Sequence, residues 1–324
     1  MNSARSLVAV LLLVAGPANA QTWAPQKPVE IVVPNTPGGT NDKLARSIEA
    51  VLVNGKLLTP AVAIVNKPGG GGQIARTYVN QRGADPHVLL IGTPSLLMSH
   101  IIDGSRLDVE DFTPVALIFN DYIAFAVNAG SPIATGRDLV ARMRSDARSV
   151  SVGLPGALGS THQHIVTALF MKSIGTSPRN MKAVAFRGSG EGITALLGGH
   201  VDLVTTGAGN ASPHAAAGKL RVVAVSSPQR LHGSLASTPT WKEQGVDLTY
   251  GSWRAVFAPK GVSPQQVRYW EGALRKVTES PQWKSELEKN YWSDFYIVGP
   301  ALRTTLDKEY AEMKAVMVEL GFAK

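Results

Sequence analysis

Short apolar runs rich in β-branched residues alternate along the chain with stretches whose apolar positions recur every three or four residues. The short runs predict strands at 29–33, 61–65, 88–91, 115–119, 123–127, 149–152, 183–186, 201–205, 222–225 and 255–258. The periodic stretches predict helices at 44–53, 73–81, 137–145, 161–173, 190–197, 264–278 and 303–320. In the last of these, Leu306, Tyr310, Met313, Val316 and Leu320 fall on one apolar stripe, as in a helix docked by a single face. Strand and helix patterns in this order predict βαβ units, an α/β fold and mostly parallel sheets flanked by helices.

The chain of 324 residues exceeds what one core usually fills, so two domains are expected. No repeat, low-complexity tract or flexible tether separates them, which points to lobes joined by strands. The crossings are expected around 118–122 and 250–253, giving a discontinuous first lobe of 21–121 and 253–324 and a second of 122–252. Such a two-lobed molecule can close as a hinge while each lobe stays rigid.

Residues 1–20 read as a secretory signal peptide, with Arg5 in the n-region, an apolar stretch over 7–15 and cleavage after Ala20. That stretch is about half the length needed to span a bilayer. Cysteine is absent, which excludes thiolate chemistry and disulfides. The formal charge of +8 is spread over scattered Lys and Arg. Nucleic-acid binding needs a clustered basic stripe; a diffuse basic surface instead concentrates small anions.

In parallel α/β sheets, ligands gather where strands end and helices begin. The first such turn is Asn35, Thr36, Pro37, Gly38, Gly39, Thr40, Asn41 and Asp42. Glycines there admit a close approach to helix N–H groups that have no internal partner and sit at the positive end of the helix dipole. Four more turns carry similar chemistry: Thr93 and Ser95; Gly159, Ser160 and Thr161; Arg187, Gly188 and Ser189; and Thr206 with the glycines after it. Each alone is explained by turn and cap preferences, and together they describe a polar cleft. A Walker A motif, a dinucleotide fingerprint and a nucleophile elbow are all missing, since Arg187 stands where the elbow's first glycine belongs. His162 and His164, two residues apart, do not share a helix face, so capping or surface roles are expected rather than a zinc pair. No catalytic residue, cofactor or metal is expected.

The order P-x-x-P-G-G-x-x-D at 34–42, Asn66-Lys67-Pro68-Gly69-Gly70-Gly71-Gly72, Leu89-Leu90-Ile91-Gly92-Thr93, Gly159-Ser160-Thr161 with His164, Phe186-Arg187-Gly188-Ser189, 197–203 and Trp253-Arg254-Ala255-Val256-Phe257-Ala258-Pro259 resembles the tripartite tricarboxylate transporter substrate-binding proteins, the Bug family. The resemblance covers nearly the whole mature chain. It implies a monomeric periplasmic receptor of the periplasmic-binding-protein fold that closes on a small organic carboxylate and presents it to membrane permease subunits. It places one carboxylate at Asn35 to Asp42 and the distal part of the ligand at Ser160, Thr161, Arg187 to Ser189 and Thr206. Arg254 is then either a bidentate carboxylate clamp or an inter-lobe arginine near the hinge. Two departures bear on the ligand: Asn35 stands where many relatives carry an aromatic residue, and no acidic residue lies near Thr206 or Gly207. The second implies a cleft lacking an anion there. A sensor that shows its closed form to a membrane signalling protein shares this pattern, and an exported hydrolase would need a nucleophile and base that the sequence does not pair.

Overall fold

The computed structural model describes residues 23–104, 107–156 and 161–323. The signal-peptide expectation for 1–20 and the candidate contacts Gly159 and Ser160 lie outside them. In chain order the elements are β1 (Val29–Val33), α1 (Thr40–Asn54), β2 (Val62–Asn66), α2 (Gln73–Asn80), β3 (Val88–Gly92), α3 (Ser95–Asp103), β4 (Phe112–Asn128), α4 (Gly136–Ser145), β5 (Ser151–Pro155) and α5 (His162–Ser173). They continue as β6 (Lys182–Phe186), α6 (Ser189–Leu197), β7 (Leu203–Gly207), α7 (Ala208–Ala216), β8 (Leu220–Val225), β9 (Gly251–Pro259), α8 (Pro264–Glu279), α9 (Pro281–Asn290), β10 (Trp292–Val298) and α10 (Gly299–Leu320).

These strands build one mixed sheet in the order β2-β1-β3-β9-β4-β7-β5-β6, with β8 and β10 also paired to β4. The parallel pairs are β1 with β2 and β3, and β5 with β6 and β7; β4, β8, β9 and β10 supply the antiparallel ones. β4 is a single strand of 17 residues where two were expected. Over 112–122 it pairs with β9, and over 123–128 with β7 and β8, so the chain changes partners in the middle of one strand. The intervening Asn120, Asp121 and Tyr122 looked like a break, but they continue the ladder opposite Trp253, Ser252 and Gly251.

The parallel strands around β1 run along β4, and those around β5 run against it. Their carboxyl ends therefore face one another across the middle of β4, and the helices that follow start in the space between. Apolar packing fixes this arrangement. One buried cluster runs through both strand sets, from Leu90 and Trp253 to Phe125, Phe170 and Trp241, with Leu306, Met313 and Met317 of α10 in it. A second packs α1, α8 and α9 on the opposite face of β1, β3 and β9, and a third lies under α6 and α7.

Candidate functional site

Asp42 builds the first turn. Its carboxylate accepts from the Gly38 N–H at 2.9 Å, from Arg46 Nε at 2.8 Å and from Asn66 Nδ2 at 3.0 Å. Burial alone would raise this carboxyl, but the bonds from Arg46, Gly38 and Asn66 outweigh it and hold the group at about 2. Asn66 also donates to the Asn35 carbonyl, and Asn41 donates to the Asn35 side chain. Residues 35–39 are exposed while Asn41 and Asp42 are buried beneath them. The turn is thus preorganised from below, with its backbone presented outward. Gly38 has φ +87°, a left-handed conformation that side-chain-bearing residues rarely adopt.

Arg254 joins this turn to the strand crossing. Buried on β9, it donates from Nε to Asn41 Oδ1 at 2.6 Å and from Nη1 to Ser252 Oγ, the Ser252 carbonyl and the Trp253 carbonyl at 2.7, 2.9 and 3.0 Å. Nη2 lies 3.9 Å from Asp121 Oδ2. Two of its three nitrogens are committed to protein acceptors, so the guanidinium offers one donor, not a two-pronged clamp.

Asp121 was not singled out from sequence, and it occupies the space beside Gly207, where a Cβ would stand 2.9 Å from its Oδ2. The expectation of a cleft without an acid at Gly207 does not hold: a glycine leaves room, and the neighbouring strand fills it with a carboxylate. Burial pushes this carboxyl up to about 6, and the Arg254 charge checks the rise. The signal was present in the sequence as one charged residue inside the apolar run 115–127.

The two histidines also depart from expectation. His164 is buried and meets Phe322 edge to face at 5.3 Å between ring centroids; His162 is half-buried at the start of α5. Burial holds both in the neutral form, His162 down to about 3 with the Arg254 charge adding to the effect, and His164 down to about 4. The C-terminal segment covers α5, which no local pattern foretold. Among the described residues no group of acidic or histidine side chains is placed to hold a metal ion, and no helix is long and apolar enough to cross a membrane.

The helices that follow parallel strands share one property. α1, α2, α3, α5, α6 and α7 begin without a side-chain cap. Of the other helices, α4, α8 and α9 are capped by Thr135, Ser263 and Ser280, while α10, after the antiparallel β10, also lacks a side-chain cap. Thr161 is the residue before α5, yet its Oγ1 is buried without a hydrogen-bond partner. Thr93 and Ser95 bond to each other through their hydroxyls at 2.7 Å, and Thr206 is buried and accepts from Asn210 at 3.4 Å. Arg187 is extended into solvent, with Nε 3.9 Å from Glu191, while Gly188 and Ser189 open α6. The two sets of turns come together at Asn290: its side chain accepts from Lys43 Nζ at 3.3 Å, and its carbonyl lies against Gly209 of α7.

This geometry has known counterparts. BugT of Bordetella pertussis is 28% identical over 298 residues, spanning 89% of this chain and 88% of that protein. The structure titled R. palustris Rpa4515 with adipate superimposes with a TM-score of 0.79 at 27% identity, covering 92% of this chain and 99% of that one. A TctC solute binding protein from Polaromonas gives a TM-score of 0.76 at 26% identity, over 91% and 99% of the two chains. The description "Tripartite tricarboxylate transporter family receptor" matches residues 45–322, and the chain belongs to that family of solute-binding proteins.

Proposed function

We propose that this chain is an exported periplasmic receptor that captures a small di- or tricarboxylate between two lobes and delivers it, in the closed state, to a membrane permease. The lobes of this reading are 21–121 with 253–324, and 122–252, hinged where β4 and β9 cross. The observation that carries it is the ring of uncapped helix starts. Helix N–H groups without a side-chain acceptor are a carboxylate's natural partners, and Thr161 Oγ1 adds a buried hydroxyl with none of its own. The 35–42 turn binds one carboxylate through backbone groups, and Thr161, Arg187 to Ser189 and Thr206 meet the distal end. Gly159 and Ser160 belong to the distal set by the sequence pattern alone, and Thr93 and Ser95 border the first.

Arg254 acts in this reading as the strut that holds Asn41 and the turn against the crossing, with Nη2 as its one remaining donor. Asp121 sits under the distal subsite and favours ligands that bring a donor there, such as a hydroxyl or a protonated carboxyl. Adipate in the R. palustris relative supports a dicarboxylate. Hydrogen bonds to a charged group contribute about 1.5–3 kcal/mol each. A handful of them, less the ordering cost, reaches the 8 kcal/mol or so of micromolar affinity.

The test is a thermal-shift and calorimetric screen of adipate, succinate, malate and citrate against ligand-free protein. At least one should raise the unfolding temperature in a concentration-dependent way. Thr161→Val, which keeps the shape and removes the hydroxyl, should weaken that ligand about tenfold. Absence of any shift across the screen, with folded protein, would overturn the reading.

A further inference from the structure

Away from the cleft turns, α5, the 247–251 segment entering β9, and α10 line a half-open cavity of about 330 Å³. That volume lies within the range of small-molecule sites. Its walls include Ile165 and Leu169 of α5, Leu248, and Met313 and Val316 of α10, and it shares no lining residue with the cleft turns.

The lining is mixed, with Lys172, Ser173, Asp247, Thr249 and Glu312 beside the apolar side chains, and two further polar residues of the wall stand out. Tyr250 is buried, lines the cavity, and its hydroxyl has no hydrogen-bond partner. A phenol removed from water without a partner is costly. Glu309 of α10 lines the same cavity and accepts from Trp253 Nε1 at 2.8 Å. Among the described residues no cation forms an ion pair with it. Burial pushes its carboxyl up to about 7, with Glu312 adding to the rise and Lys308 opposing it, so a cation arriving beside it would draw it into the ionised form.

The remaining charges do not change the sign. Lys172 at the edge is held by Glu319 at 2.6 Å, Glu312 has Lys308 at 3.8 Å, and Asp247 is almost wholly exposed with Lys242 at 3.8 Å. Each lining charge but one is therefore matched, and the unmatched one is an acid. An apolar strip of Ile165, Leu169, Leu248, Met313 and Val316, beside one carboxylate without a cation and the unpartnered Tyr250 hydroxyl beneath the wall, complements a molecule with a hydrocarbon body and a positively charged nitrogen.

We infer that this cavity is a second binding site, specific for a small organic ammonium ion whose nitrogen lies between Glu309 and the Tyr250 hydroxyl and whose hydrocarbon part packs on Leu169 and Met313. Its ligand is opposite in charge to the cleft's, and it stands whether or not the cleft takes a carboxylate. One of its walls leads directly into β9, so an occupant rests against the crossing.

Calorimetric titration of the mature protein with 2-phenylethylammonium, in an amine-free buffer of low ionic strength, tests the site. One saturable event is expected, with 2-phenylethanol, the neutral analogue, at least about tenfold weaker. Glu309→Gln retains an acceptor for Trp253 Nε1 and should abolish the preference for the cation, and Tyr250→Phe should weaken it about threefold. The comparison of the two probes needs only the unmodified protein, so it decides even if a variant fails to fold. No saturable binding up to about 10 mM, equal affinity for the two probes, or unchanged binding in E309Q would overturn the assignment.

Discussion

Arg254 and Asp121 show how a buried charge is made tolerable in this protein. The guanidinium has acceptors on Nε and Nη1 from residues on two elements, and Asp121 at 3.9 Å from Nη2 supplies the opposing charge. Such a group is retained at a cost unless every bond is made, and removing one partner leaves the other stranded. Arg254→Met should therefore destabilise the fold by about 3–5 kcal/mol. The pH dependence identifies the cause. An acid whose folded value is raised above its unfolded one subtracts stability as pH climbs from the unfolded value, near 3.9, through the folded value, about 6 here. Without Arg254 the Asp121 carboxyl rises further. Urea unfolding should then show a larger loss at about pH 8 than at about pH 5, since the acid is protonated at the lower pH. Equal losses at the two pH values would mean that Arg254 stabilises through its hydrogen bonds and packing and not through the Asp121 charge.

At the scale of elements, what was legible in the sequence was what local pattern dictates. The apolar runs 29–33, 88–91 and 183–186 coincide with β1, β3 and β6 to within a residue or so, and the stripe of 303–320 lies on α10. What was not legible depends on partners distant in sequence. α9 presents only Trp283 and Leu287 as buried positions, and β10 pairs irregularly along the edge of β4 with a break between Asp294 and Ile297, so neither has a strong period. α7 is built of Ala, Gly, Asn, Ser, Pro and His, with no large apolar residue to give it contrast. Of the candidate site, the turn 35–42 was readable because its glycines, prolines and acid are consecutive. Asp121 was not, because its meaning lies in Gly207, which is paired opposite Ile123 two residues along β4. Gly92 gives a test of the same kind of long-range fit. It ends β3 opposite Ala255 of β9, and a Cβ there would run into the Phe257 ring, which is fully buried. Gly92→Ala should cost about 1–3 kcal/mol, as overpacking does in closed cores. Combined with Phe257→Leu, the loss should be smaller than the sum of the two single losses, because the second change vacates the space the first one needs. Additive losses in denaturant unfolding would place the strain in the backbone instead.

For the whole molecule, the two strand sets are not independent bodies on a thread. β4 is continuous through both, and the largest apolar cluster joins Leu90 beside β9 to Phe125 and Trp241 in the other set. α10 completes that cluster with Leu302, Leu306, Met313, Val316 and Met317. If the cleft closes as proposed, it has to rotate about β4 and β9 while this apolar contact slides rather than opens, which favours a small hinge angle and a crossing that keeps its hydrogen bonds. The same continuity sets the unfolding behaviour. Separate cores would melt separately, whereas a core shared across the crossing couples both halves into one cooperative unit. Calorimetry of the ligand-free protein should show a single transition. Met317→Ala removes a fully buried side chain from the shared cluster. It should lower that transition as a whole, with a loss of about 2–5 kcal/mol. If the trace resolved into two transitions and the substitution moved only one of them, α10 would belong to one half alone. The crossing strands would then be the sole mechanical link between the lobes.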